Sequence, residues 1–221
     1  MIMNLKRWKH YFQLLRSWLA YEQMVVRLIW RGGLSEEFAS VMAVQGQMRR
    51  SEVWCLYQLA QTASPEGVIV EIGSYRGLST IALAKGSLSG SGIPVYSIDP
   101  HDYTDPAGMV YTSEDNAAFF INVTLAGIAS LVKPISLLSW DAAVAWNKPI
   151  SLLWIDGSHE FEAVTKDFLH WSPFVIKNGI IAFHDSTDQT LGPYLVVQSA
   201  LASGNYILKN RVDKVSVLVK R

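Results

Sequence analysis

The chain has 221 residues, a formal net charge of zero and half of its residues hydrophobic, the proportions of a globular protein with one substantial domain and an appendage. A neutral chain with no long arginine or lysine run is a poor match for nucleic acid. One cysteine, Cys55, excludes an internal disulfide framework and a cysteine-based zinc site, and it fits a reducing compartment, so a cytoplasmic location is expected.

The first segment carries many apolar residues, among them Trp8, Tyr11, Phe12, Leu15, Trp18 and Trp30. Gln13, Arg16, Glu22, Gln23 and Arg27 interrupt it too often for a spanning helix or a signal peptide. Lys6, Arg7, Lys9, Arg16, Arg27 and Arg31 stand against one acid, Glu22, the pattern of a basic amphipathic helix. Two roles suit such a helix: packing on the main domain or on a second copy of the chain in a homodimer, which is the commoner outcome, or peripheral contact with an anionic membrane surface. Residues 1–46 are therefore set apart from a main domain of residues 47–221.

A helix is predicted over residues 47–61, ending at the turn-forming Ser64, Pro65, Glu66 and Gly67. The β-branched run 68–72 reads as a buried parallel strand, followed by glycines and a helix over 78–84. The alternation continues with strand 94–98, helix 114–129, strand 132–137, short helix 141–146, strand 150–155, helix 162–171 and strand 180–183. The chain finishes in two strands, 206–209 and 212–220, joined as a hairpin at Asn210 and Arg211. These elements predict an α/β Rossmann-like fold: a seven-stranded, mostly parallel sheet with an antiparallel last strand and helices on both faces.

Open sheets of this kind bind ligands beyond the carboxyl ends of their strands. The residues there are 71–77, Asp99, 139–141, 156–159 and the pair His184 and Asp185, and acids recur among them. Gly73 and Gly77 frame Ser74, Tyr75 and Arg76, a turn able to approach a ligand closely at a helix N-terminus. A P-loop is excluded because Leu78 follows Gly77, and Tyr75 stands where a dinucleotide fingerprint needs its second glycine. Glu71 adds negative charge that would repel a pyrophosphate and suit a sulfonium or an ammonium. Such a turn can also serve packing alone. Asp99 is placed to accept hydrogen bonds from ribose hydroxyls, or to cap the turn before Pro100. Ser139 and Trp140 suit an adenine ring, or Trp140 is a core residue. Residues 101–113 are long enough for a lid or an acceptor-binding loop, and Asp167 reads as a helix or loop support.

Four stretches, residues 70–80, 97–100, 153–159 and 179–185, together resemble the class I S-adenosylmethionine-dependent methyltransferases of the macrocin O-methyltransferase and cephalosporin-hydroxylase-like group, over a region from about residue 45 to the C-terminus. The resemblance implies S-adenosylmethionine as cofactor, with Glu71, Gly73, Ser74 and Gly77 around its methionine part and Tyr75 and Ser79 alongside. It further implies Asp99 on the ribose, Ser139 and Trp140 beside the adenine, and Asp156 near the reacting end. In relatives with a known reaction, acids matching Asp156 and both residues of the 184–185 pair hold magnesium, and a histidine matching His159 is the base. Here the pair is His184 and Asp185, which suits magnesium less well, because that ion prefers an all-oxygen shell. The expected chemistry is O-methylation of a small-molecule or glycan acceptor, with His159, Asp156 and Asp185 as catalytic residues and a magnesium or other divalent metal on Asp156, His184 and Asp185. The alternatives are a hydroxylase-like, a nicotinamide-dependent or a non-catalytic member of the same scaffold.

Overall fold

A computed structural model describes residues 41–42, 44–101, 103–104 and 110–221. The expected basic amphipathic segment, with its suggested lipid or dimer contacts, lies almost wholly outside the described residues, as does the middle of the 101–113 loop. The chain divides into two compact units, Met1–Ala43 and Val44–Arg221, and the second carries the elements below. No helix among the described residues is long and apolar enough to cross a membrane.

Helix α1 (Arg50–Gln61) starts where Glu52 reaches back to accept the Arg49 N–H at 2.7 Å, satisfying one of the donors a helix start leaves unpaired. Strand β1 (Val68–Ile72) leads through the glycine turn into α2 (Leu78–Leu88), and β2 (Val95–Ile98) follows. A small hairpin, β3 (Tyr103–Thr104) and β4 (Val110–Tyr111), stands apart from the main sheet. Next come α3 (Ser113–Leu125), β5 (Val132–Ile135), α4 (Ser139–Val144), β6 (Ile150–Ile155) and α5 (Phe161–Trp171). The chain closes with β7 (Val175–Phe183), α6 (Gly192–Ala202), β8 (Tyr206–Val212) and β9 (Val215–Lys220).

The sheet order is β5-β2-β1-β6-β7-β9-β8. Strands β5, β2, β1, β6 and β7 run parallel, β9 is antiparallel to β7, and β8 is antiparallel to β9. The chain works outward from β1 toward β5 and then returns to place β6 on the other side of β1, so the strand order reverses between β1 and β6 and a crevice opens at their carboxyl ends. Every residue of β6 is buried, as the central strand of a sheet covered on both faces requires. Trp171, with no solvent exposure, anchors α5: its indole N–H donates to the Ser139 carbonyl at 3.2 Å and its ring meets Trp146 edge-on, with centroids 5.1 Å apart. Ser139, one of the residues expected at the site, is thereby tied to the core.

Two expectations change. The strand expected over 180–183 begins five residues earlier, at Val175. The terminal hairpin turns at Asp213 and Lys214, and Asn210 and Arg211 lie inside β8, where the pairing register slips between Leu208 and Asn210. The polar pair does not end the strand because β8 is an edge strand, exposed through its middle, where polar side chains cost nothing. Asp213 instead takes the positive φ, +47°, that the tight turn needs.

Candidate active site

Gly73, at φ +83°, is where β1 must pass close to β6: a Cβ there would lie 2.2 Å from the Asp156 carbonyl oxygen. The turn N–H groups of Ser74 and Tyr75 then donate to Asp99 Oδ2 at 2.8 and 2.9 Å, and the His101 N–H donates to Oδ1 at 2.9 Å. Asp99 thus pins the glycine turn to the end of β2. Its Oδ1 keeps acceptor capacity for one more donor, such as a ribose hydroxyl.

Glu71 lies outside the cavity that the turn borders. Its side chain is fully buried, and Oε2 accepts from Thr80 Oγ1 at 2.5 Å and Ser97 Oγ at 2.9 Å. Burial pushes its carboxyl up to about 7, against the opposing hydrogen bonds from Ser79, Thr80 and Ser97. The expected contact between this acid and a cationic cofactor is therefore corrected: Glu71 braces the turn from beneath. Gly77 also lies outside the cavity wall; at φ +90° it caps α2, facing Phe119.

The other expected residues line a single cavity of about 840 Å³. Gly73, Ser74, Tyr75 and Ser79 form one wall, Asp99 the end of β2, and Ser139 and Trp140 the start of α4. Lys166 lies over the Trp140 ring, 5.3 Å from its centroid. Ser139 Oγ donates to Asp167, which burial pushes up to about 6 and which also reaches the cavity. Asp167, expected as a support, therefore both orients Ser139 and borders the ligand space.

The remaining wall is an acid and base cluster at the ends of β6 and β7. Asp156, His184 and Asp185 each place one donor atom within 4.8 Å of the others. His184 Nδ1 lies 3.0 Å from both Asp156 Oδ1 and Asp185 Oδ2, and Nε2 lies 3.4 Å from Glu52 Oε2. His159 Nε2 is 3.2 Å from Asp185 Oδ2, and Lys214 Nζ is 2.8 Å from Asp185 Oδ1. Burial works against a charged His184, but the surrounding carboxylates outweigh it and hold the imidazolium far above its ordinary range. The hydrogen bond to Asp185 raises His159, and those from His159, His184 and Lys214 hold Asp185 well below the usual carboxylate range.

A magnesium ion, which the resemblance implies, does not fit this donor set. One of the three positions is an imidazole hydrogen-bonded to carboxylates at both nitrogens, and Lys214 already binds the second oxygen of Asp185.

Glu52 and Lys214 belong to the cluster and were not anticipated. Glu52 is a lone acid in an apolar helix, fully buried, and that incongruity was a readable signal. Lys214 had no signal, because its reach depends on where the terminal hairpin turns.

Residues 70–186, more than half of the chain, match the profile of a family described as a methyltransferase domain. Among solved structures, a protein from Corynebacterium glutamicum superposes with a TM-score of 0.65 at 14% identity, over 91% of this chain and 97% of that one. An O-methyltransferase from Bacillus cereus, solved with S-adenosylhomocysteine, gives 0.61 at 15% identity over 91% and 97%. A TDP-rhamnose 3′-O-methyltransferase of calicheamicin biosynthesis gives 0.54 at 16% identity over 76% and 77%. These likenesses establish the fold, and the family match establishes the class: the chain belongs to this methyltransferase-domain family and is an S-adenosylmethionine-dependent methyltransferase.

Proposed function

We propose that the protein methylates a hydroxyl group on a small molecule or saccharide, with His159 as the general base. The observation that carries this reading is that the His159–Asp185 pair opens on the same cavity as the glycine turn and Asp99. The similar proteins named as O-methyltransferases, one of them acting on a TDP-sugar by its name, support it.

In this reading Ser74, Tyr75 and Ser79 hold the methionine part of the cofactor, Asp99 takes a ribose hydroxyl, and Ser139 and Trp140 border the adenine. When bound, the cofactor would supply an electrophilic methyl group and a neutral thioether as leaving group. The chain's own part is to orient the acceptor and remove its proton. Asp185 accepts the Nε2 proton of His159, which leaves the imidazole lone pair on Nδ1. The half-exposed ring can then take the acceptor proton as the new bond forms. Asp185, held by His184, keeps the base in one tautomer.

Calorimetric titration with S-adenosylhomocysteine, followed by a screen of sugar, nucleotide-sugar and phenolic acceptors with methyl-labelled cofactor, tests the reading. Saturable binding and label transfer to a hydroxyl are expected. Absence of heat on titration removes it, and transfer only to nitrogen or carbon replaces O-methylation.

A further inference from the structure

The acids at the ends of β6 and β7 are met by cations of the protein itself, which leave one net negative charge. Glu52, Asp156 and Asp185 contribute three carboxylates, and His184 and Lys214 stand among them as the neutralising groups. His184 lies between all three acids. Carboxylates only accept, so both ring nitrogens serve as donors and neither offers a lone pair to a metal. Lys214 is held in place from its own backbone, whose N–H donates to Glu52 Oε1 at 3.1 Å, while its side chain reaches Asp185 Oδ1. Glu52 in turn accepts from Arg49 at the start of α1, so the network joins α1, the end of β7 and the β8–β9 turn. Glu52 and His184 are almost completely removed from solvent. A dication added here would leave the cluster with a net positive charge beside the buried Glu52 and His184.

We propose that this site works without a divalent metal, and that Lys214 and His184 are the built-in cations that take the metal's place. Lys214 lines the cavity and its side chain is half-exposed, so it also presents positive charge to an acceptor oxygen as that oxygen loses its proton. The structure assigns Lys214 two tasks: neutralising Asp185 and stabilising charge in the cavity. The inference rests on the methyl-transfer reading for its catalytic meaning, but its test does not.

The test is the electron paramagnetic resonance of Mn²⁺, whose free-ion signal is lost on binding, recorded on the full chain with and without S-adenosylhomocysteine. The wild type is expected to leave the free-ion signal undiminished in both samples. The double variant His184→Asp with Lys214→Gln removes both cations and restores an all-carboxylate set, and it is expected to deplete the signal stoichiometrically. Stoichiometric binding by the wild type overturns the proposal. A folded double variant as blind to Mn²⁺ as the wild type overturns the assignment to these two side chains. Should the double variant fail to fold by circular dichroism, the wild-type spectrum alone decides. Failure of S-adenosylhomocysteine to bind in the parallel calorimetry refutes the methyl-transfer reading and leaves the metal result standing.

Discussion

Glu71 sits without solvent contact between Thr80 and Ser97, and burial raises its carboxyl from an ordinary 4.5 to about 7. The folded state therefore holds this proton more tightly than the unfolded chain does. Its contribution to stability is fully present below 4.5, and it is lost as pH rises through the window up to about 7. The total loss is about 3 kcal/mol. Glu71→Gln keeps the shape and removes the charge, so it should melt higher than the wild type at about pH 8 and nearly together with it at about pH 4. Equal melting temperatures at both pH values would show that Glu71 is not a buried acid. His159 makes a different kind of claim. His159→Ala should lower turnover roughly 10²–10⁴-fold on an acceptor found in the screen, while S-adenosylhomocysteine affinity stays unchanged. Undiminished turnover would take His159 out of the reaction. At this scale residue type was legible and orientation was not: an acid before a glycine turn is compatible with a ligand contact or a buried brace, and the neighbours across β2 and α2 decide which.

Helix α2 carries a glycine, Gly86, in its interior, where helix propensity alone disfavours it. The neighbour supplies the reason: a Cβ at this position would lie 2.2 Å from the Tyr57 carbonyl oxygen of α1. Gly86→Ala should therefore destabilise by about 1–3 kcal/mol through forced separation of α1 and α2, read as a shift in the urea midpoint. An unchanged midpoint, or the gain that alanine brings to a free helix, would mean that the two helices part without cost. The apolar, β-branched strands β1, β2 and β6 could be placed from sequence because strands buried on both faces leave continuous runs. The terminal hairpin could not, because Asn210 and Arg211 look like a turn until one knows that β8 is an edge strand. The misplaced turn hid Lys214.

Across the whole unit, β9 does two jobs. It covers the edge of β7 with the buried Val217 and Leu218, and the turn before it brings Lys214 to Asp185. A chain ending at Asn205 loses both. Such a truncation should lack a cooperative unfolding transition and S-adenosylhomocysteine binding, because β7 then presents an unpaired edge and an uncovered apolar face. Cooperative thermal melting of the truncated chain would show that β8 and β9 are dispensable to the core.

The sequence by itself determined the strand and helix alternation, the glycine turn and the acids and histidines at strand ends, because period, β-branching and turn chemistry are local properties. It also carried the family resemblance, since ordered motifs at set gaps need no coordinates. Only the tertiary structure decided that Asp99 ties the turn to β2, that Glu71 faces inward, and that Glu52 and Lys214 complete the charge cluster around His184. Those partners lie far apart along the chain, as Glu52 and Lys214 do, and packing across the sheet edge is what brings such charges within hydrogen-bonding distance.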